Sequence, residues 1–398
     1  MNTLGVYIQI PFCESKCSFC NFSAQVARDD VIGRYAQALE QEIAEWDRLA
    51  TTAGIASATL RLPVDTAYIG GGTPPIVGAE RLGRIVAKLS ERFEFFSPCE
   101  FTLEVTPGSA DEGFLREARS WGVNRLSIGA QSFSDRELRA VGRLHSAADT
   151  HETVARARRA GFSNISLDLI ASLPGQTESS WQESLRAVER LRPEHVSVYI
   201  FEVDEKSRLG NEVLRHGERY HAAEVPDENF MADAYEWARG FLRGVGYRQY
   251  EISNFALPGF ASRHNQKYWR LEPYLGFGAG AHSFDGARRW ANEVSPECYA
   301  QRLARGESSF TEIRRLTTKD QIEEFFFLGL RQVEGVDLAE ARRRWGDSAL
   351  GRWEPVIAGL AGRDLLVREN DRVRLAEHAL LVSNEIFQEF LVTEMEAQ

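Results

Sequence analysis

Three cysteines fall within eight residues, as Cys13-Glu-Ser-Lys-Cys17-Ser-Phe-Cys20. Thiolates are the side chains that hold iron–sulfur clusters. At this spacing one loop can wrap three corners of a cubane. No fourth thiolate lies nearby, so one iron of a [4Fe–4S] cluster would be left for a non-protein ligand. Zinc is the competing reading, although a structural zinc site normally draws four ligands, usually as two separated pairs. Cys99 and Cys298 are isolated and read as small buried hydrophobes. An odd number of cysteines, clustered near the start of a large chain, does not suit a disulfide framework and fits a reducing cytoplasm.

Other residues with chemistry to offer interrupt apolar runs. Tyr68-Ile-Gly-Gly-Gly-Thr-Pro-Pro75 follows a strand-like stretch, and glycine there lets the backbone approach a ligand closely. Alone, the triplet reads as a tight turn. Glu104, Gln131 and Asp168 each place a polar side chain at an apolar strand end. Burying such a group is costly unless it is paired. The partner is either another protein group or part of a ligand. Arg143 could pair with a ligand carboxylate. His264-Asn265-Gln266-Lys267-Tyr268-Trp269 combines an imidazole, a natural axial ligand for haem iron, with rings that suit a flat apolar macrocycle. The competing reading of that segment is simple packing. His282, in Gly278-Ala-Gly-Ala-His282, is a second iron-ligand candidate or the end of a turn.

These residues need elements to position them. Short β-rich runs at Val6–Ile10, Thr66–Ile69, Phe101–Val105, Arg125–Ile128, Ile165–Ile170 and Val196–Phe201 alternate with helical patterns, among them Val31–Leu49, Arg81–Phe93, Asp149–Ala160 and Ser179–Leu191. Alternation of this kind predicts an α/β fold with a parallel sheet of six βα units. Chemistry-bearing residues at nearly every strand end favour a barrel, open or closed, over a flat sheet. A helix over Glu228–Leu242 and a strand over Arg248–Ile252 follow. From about Thr317 the pattern becomes helical at Lys319–Leu330, Leu338–Trp345 and Gly351–Gly362, then a hairpin over Leu365–Leu375 and a last helix over His378–Phe390. This predicts three units: a core at 1–240, an extension carrying the His-Asn segment at 241–300, and a winged-helix-like domain at 301–398.

Composition narrows the partners. The chain has 398 residues, 43% apolar and 26% charged, and a formal net charge of −11. That charge disfavours a phosphate-backbone partner, so the winged-helix-like unit reads as a structural or docking module and nucleic acid is not expected. The N-terminus carries no secretory pattern, and no run approaches the roughly 18 apolar residues of a membrane span.

The cysteine motif resembles that of the radical SAM superfamily, C-x3-C-x2-C with an aromatic, here Phe19, before the last cysteine. The resemblance implies a partial (β/α)6 barrel, followed by a smaller, mainly α C-terminal domain with a β-hairpin. It also implies S-adenosylmethionine chelated to the open iron, with Tyr7, Phe19, Gly71, Gly72, Thr73, Glu104, Gln131, Arg143 and Asp168 as its contacts. Within the superfamily the chain resembles the coproporphyrinogen dehydrogenase–HemW group from Gly5 to Phe387, including Leu-Pro-Gly-Gln-Thr (173–177), Gly-Ala-Gly-Ala-His (278–282) and Ser-Asn-Glu-Ile-Phe (383–387). The dehydrogenases carry a fourth cysteine two positions beyond the triad and an extension before the first strand. This chain has Phe22 at that position and starts its strand at once, which favours the HemW branch. That branch implies a haem chaperone serving haem-accepting proteins such as respiratory enzymes, with haem at His264, Asn265, Tyr268 and Trp269. On this reading the cluster and S-adenosylmethionine tune dimerisation into a homodimer or haem transfer, in the cytoplasm or at a membrane through a partner. The competing expectation is radical chemistry on coproporphyrinogen III or another tetrapyrrole.

Overall fold

The computed structural model describes residues 3–391; residues 1–2 of the expected core and 392–398 of the expected C-terminal domain lie outside the described residues. Six parallel strands pair in chain order: β1 (Leu4–Ile10), β2 (Val64–Gly71), β3 (Phe95–Val105), β4 (Arg125–Gln131), β5 (Ile165–Ala171) and β6 (His195–Ile200). Helices at Asp29–Ala44, Ala79–Arg92, Glu112–Ser120, Ala147–Arg159 and Glu178–Leu191 fill the five connections. This is the expected partial (β/α)6 barrel.

The strands alternate, and the alternation decides what faces where. Val6, Ile8 and Ile10 of β1 pack outward into the main apolar core, as do Leu126, Ile128 and Ala130 of β4 and Ile165, Leu167 and Leu169 of β5. Leu39, Ile85, Leu115, Val154 and Leu185 from the helices complete that layer. The intervening residues are largely polar and meet in the barrel interior: Tyr7, Thr66, Tyr68, Thr102, Glu104, Arg125, Ser127, Ser166, Asp168, His195 and Ser197. Parallel strands covered on both faces usually read as continuous apolar runs. Here the polar half of each strand lines a space.

The segment expected as an extension belongs to the sheet. The strand expected at Arg248–Ile252 is only Arg248–Gln249, and with Asn254–Ala256 it prolongs the sheet beyond β6 in antiparallel fashion. The chain then crosses to the far edge through the helix Arg263–Trp269, and Tyr274–Phe277 pairs in parallel with β1. Antiparallel strands His282–Phe284, Arg288–Asn292 and Phe310–Arg315 extend that edge. Phe310–Arg315 belongs to the large sheet, and the rest of the unit expected at 301–398 follows it. That part holds helices Thr318–Gly329, Leu338–Trp345 and Glu354–Gly362 and a three-stranded antiparallel sheet of Val336–Asp337, Leu366–Glu369 and Arg372–Leu375. Its core takes in Leu271, Tyr274 and Phe284, so it packs on the barrel through apolar contact.

Three further expectations change. The helix Val31–Leu49 is two helices, Asp29–Ala44 and Trp46–Thr52, broken at Glu45. The last helix is a 3-10 turn, Glu377–Val382, followed by Ser383–Gln388. Cys298 is exposed and Cys99 only partly buried, so neither is a core residue.

Gly-Ala-Gly-Ala-His is a turn, and a buried clamp explains it. Glu42, fully buried on the first helix, accepts hydrogen bonds from Gly278 N (2.8 Å), Asn292 Nδ2 (2.7 Å), Tyr299 Oη (2.6 Å) and Ser309 Oγ (3.0 Å). Gly278 has φ 95°, and a Cβ there would stand 2.4 Å from Tyr35 Oη and 2.7 Å from Gln9 O. The clamp thus ties the 278–309 edge to the helix behind β1. Glu42→Ala leaves four buried donors without their acceptor. Chemical denaturation should show a loss of about 3–5 kcal/mol. A loss below about 1 kcal/mol would mean that the clamp carries no stability.

Candidate cofactor site

The cysteine loop leaves β1 at Pro11 and returns at Gln25. Gln25 N donates to Pro11 O (2.9 Å) and Cys13 N donates to Gln25 O (3.0 Å), which closes the loop at its neck. Inside it, Cys20 N donates to Cys17 O (3.3 Å), a tight turn that brings the last two thiols together. The loop is buttressed by Ser18, whose N donates to Val141 O and whose O accepts from Leu209 N. All three cysteines line one cavity of about 850 Å³, at the end of the barrel where the six parallel strands terminate.

Phe19, Gly71, Gly72, Thr73, Glu104, Gln131, Arg143 and Asp168 line the same cavity. Tyr7 does not. Its ring packs against Tyr68, with centroids 5.8 Å apart, and its hydroxyl donates to Gln9 (2.8 Å). The glycine triplet is used by the protein itself. A Cβ on Gly72 would stand 2.4 Å from Phe12 O, and one on Gly70 would stand 2.6 Å from the Glu104 carboxyl carbon. This close approach lets Gly71 N donate to Glu104 Oε2 (2.8 Å), while Tyr68 Oη donates to Oε1 (2.7 Å).

The carboxylates therefore have protein partners, yet both still face the cavity. Burial pushes Glu104 up to about 7 against the pull of Tyr68, Gly71 and Arg125. Asp168 is raised by burial too, and accepts from Ser127 Oγ (3.2 Å) and Ser166 Oγ (3.4 Å). Arg143 is held by Gly129 O (2.7 Å from Nη2), which leaves Nη1 3.6 Å from Cys17 Sγ. Thr73 Oγ1 stands 3.7 Å from Cys13 Sγ. Gln131 adopts φ 66°, a conformation that turns the chain sharply at the end of β4.

Sequence reasoning missed several members of the site. Arg125, Ser127 and Ser197 line the cavity. Their signal was the alternation Arg-Leu-Ser-Ile-Gly in β4 and His-Val-Ser-Val-Tyr in β6. From the C-terminal unit, Leu380, Leu381, Ser383 and Asn384 form part of the wall, which puts the start of Ser-Asn-Glu-Ile-Phe at the cavity. Leu-Pro-Gly-Gln-Thr works differently: Gln176 donates to the buried Glu137 (2.9 Å), and Thr177 caps the helix Glu178–Leu191.

The His-Asn segment divides. Asn265 lines the cluster cavity. Trp269 lines a second cavity, of about 830 Å³, lies under the Arg331 guanidinium (4.6 Å to its ring centroid), and has a buried indole nitrogen without a partner among the described residues. His264 and Tyr268 enter the barrel. His264 is 1% exposed; Nδ1 is 2.9 Å from Thr66 Oγ1 and Nε2 is 2.8 Å from Tyr268 Oη. Both ring nitrogens are engaged, so this conformation does not offer His264 to an iron. His282 is exposed and lines neither cavity.

The comparisons with known proteins match this geometry. The model of the radical SAM superfamily matches residues 7–188, and that of the HemN C-terminal domain matches 316–382. The heme chaperone HemW of Bacillus subtilis is 36% identical over 97% of this chain and 99% of that protein. That of Lactococcus lactis is 32% identical over 98% of each. The chain belongs to the HemW family of the radical SAM superfamily. The solved coproporphyrinogen III oxidase (HemN) of Escherichia coli, a radical SAM enzyme, superposes with a TM-score of 0.83 at 25% identity, covering 98% of this chain and 90% of that one. The family implies a [4Fe–4S] cluster and S-adenosylmethionine. The residue types suit them, with three thiols on one closed loop and half-buried carboxylates and a guanidinium on the same cavity, while no group of three such side chains among the described residues is arranged to hold a single metal ion. Among the described residues, no helix is long and apolar enough to cross a membrane.

His264 carries a testable consequence. Burial and the nearby Lys267 push its pKa down to about 3, so the folded protein holds it neutral. The unfolded chain takes up its proton near the ordinary 6.5, so this residue removes stability as pH falls from about 6.5 towards about 3. His264→Ala should lower stability at neutral pH by about 2–5 kcal/mol, through two lost hydrogen bonds and a void. It should also flatten the acid limb of the stability curve. An unchanged acid limb in a folded variant contradicts the buried neutral imidazole.

Proposed function

We propose that this protein is a haem chaperone: it binds haem and delivers it to haem-accepting proteins such as respiratory enzymes. The observation that carries this reading is the near full-length similarity to proteins named heme chaperone HemW. Phe22 supports it, standing where the coproporphyrinogen dehydrogenases place a further cysteine. It is 64% exposed at the cavity rim.

Cys13, Cys17 and Cys20 would hold the [4Fe–4S] cluster. Bound there, the cluster supplies an open iron for the amino and carboxylate groups of S-adenosylmethionine. The chain's own residues then do the recognising. Arg143, beside Cys17, is placed to neutralise the carboxylate. Gly71, Gly72 and Thr73 present backbone and hydroxyl groups near the cysteine loop. Glu104 and Asp168 offer negative charge and acceptors to the amine and the ribose hydroxyls. Gln131 adds an amide, and Phe19 an apolar wall. Tyr7 contributes from one layer deeper, by holding Tyr68 against Glu104.

For haem, the proposed contacts are His264, Asn265, Tyr268 and Trp269. His264 can reach iron only when the helix Arg263–Trp269 lifts from the barrel floor and breaks its bonds to Thr66 and Tyr268. Haem loading is therefore expected to expose this helix. A homodimer, or a membrane-bound acceptor, would be the setting for transfer. A second reading, a radical enzyme acting on coproporphyrinogen III, draws on the likeness to the Escherichia coli oxidase.

One paired assay separates the two. The anaerobically reconstituted, reduced protein is given coproporphyrinogen III with S-adenosylmethionine; separately, the haem-loaded protein is given an apo-acceptor. The chaperone reading expects haem transfer and no decarboxylated product; product without transfer overturns it. Hydrogen exchange should show the amides of Arg263–Trp269 losing protection on haem binding. Unchanged exchange, with the same Soret band in a folded His264→Ala variant, would remove His264 from the haem site.

A further inference from the structure

Arg125 is a cation buried in the barrel interior. Its residue is 1% exposed, and it forms no ion pair with any described residue. Among the described residues, Nη1 reaches only Thr102 Oγ1, at 3.5 Å, and Nε has no partner. An uncompensated guanidinium in a barrel interior is costly, so its neighbours should explain it. His195 supplies no charge: it lies between Ser166 Oγ (2.7 Å) and Tyr250 Oη (2.9 Å), and burial keeps it neutral. His264 is neutral as well. The negative groups that feel Arg125 are Glu104 on β3 and Asp168 on β5. Both line the cluster cavity with it.

We propose that Arg125 is a positioning residue that favours the carboxylate forms of Glu104 and Asp168, so that the cavity presents negative charge to a cationic, hydroxyl-bearing nucleoside. The proposal rests on the reading that S-adenosylmethionine occupies this cavity, and it adds the group that sets the charge of the two carboxylates. The alternative, that Arg125 itself receives a ligand anion, fits poorly. An anion approaching through the cavity would meet Glu104 and Asp168 there, and the guanidinium is almost fully covered.

The other cations on the cavity wall are engaged elsewhere: Arg143 with Gly129 O and Cys17, Lys16 with Phe22 O, and Arg331 with Glu251 and the Trp269 ring. Around Glu104 stand Tyr68, Tyr7, Tyr199 and the Gly71 amide; around Asp168 stand the hydroxyls of Ser127, Ser166 and Ser197, with Tyr68 and Tyr199 beyond. They can donate hydrogen bonds, but none offsets the mutual repulsion of two buried carboxylates. Without Arg125 both would titrate higher, so less negative charge would remain on the pair near neutral pH.

The test uses cluster-loaded protein and S-adenosylmethionine as the probe, with calorimetric titration from about pH 6 to about pH 9. Arg125→Met should bind about tenfold more weakly than wild type near neutral pH, the size of a one-unit shift. It should recover as pH rises. Arg125→Lys should keep the wild-type profile. A loss of the same size at every pH, or no loss, overturns the proposal. A second readout does not need the ligand. A carboxylate raised on folding makes stability fall as pH rises, from the ordinary 4.5 to about 7 for Glu104 in the wild type. In Arg125→Met this fall should be steeper and run to higher pH, and adding Glu104→Gln should relieve it and help the variant fold. Parallel curves for Arg125→Met and wild type, or no relief by Glu104→Gln, overturn the proposal. If wild type binds no S-adenosylmethionine, the cofactor reading fails on its own and the stability curves still decide the role of Arg125.

Discussion

A polar side chain taken out of water must find a partner, and this barrel is built around that constraint. Each parallel strand turns its apolar residues outward to the helices and much of its polar set inward. The interior is consequently a network. Thr66, His264 and Tyr268 are linked on the floor, as are Ser166, His195 and Tyr250. Above them, Tyr68 and Gly71 hold Glu104, and Ser127 and Ser166 hold Asp168. The floor is satisfied within the protein. The upper layer keeps part of its polar surface open to the cavity, and the three cysteines stand on that cavity's wall.

The same constraint separates residues that resemblance treats alike. Glu104, Asp168 and Arg143 are braced by the protein yet still face the cavity, the geometry expected of ligand contacts that are held in place before binding. His264 is braced on both nitrogens and faces nothing open. The haem role proposed for it therefore has a conformational cost attached, because binding haem through it would mean opening the floor of the barrel. The helix that carries it separates two cavities, with Asn265 on one and Trp269 on the other, so a movement there would be felt at both.

The legible part of the sequence was local. Spacing alone set apart Cys13, Cys17 and Cys20. Alternation placed six strands, and the polar residue near the end of three of them marked Glu104, Gln131 and Asp168. What stayed hidden was long-range. Nothing near Gly278 announces that Glu42, on the first helix, receives its amide. Gly70, Gly71 and Gly72 read as room for a ligand, whereas much of that room is taken by Gln9, Phe12 and Glu104. The strand Phe310–Arg315 also stayed hidden, because its partner, Arg288–Asn292, lies beyond the barrel repeats. Arg125 looks like an ordinary first residue of a strand until the register turns it inward.

The cysteine loop is proposed to hold a [4Fe–4S] cluster with one iron open to S-adenosylmethionine in the cavity bounded by Glu104, Arg143 and Asp168. Electron–nuclear double resonance on the reduced cluster, with S-adenosylmethionine isotopically labelled at its amino and carboxylate groups, tests this most directly. Strong coupling of both labels to the cluster is expected, weakened when Arg143 is replaced by alanine. A cluster that forms on the three cysteines but shows no coupling to either label would contradict it.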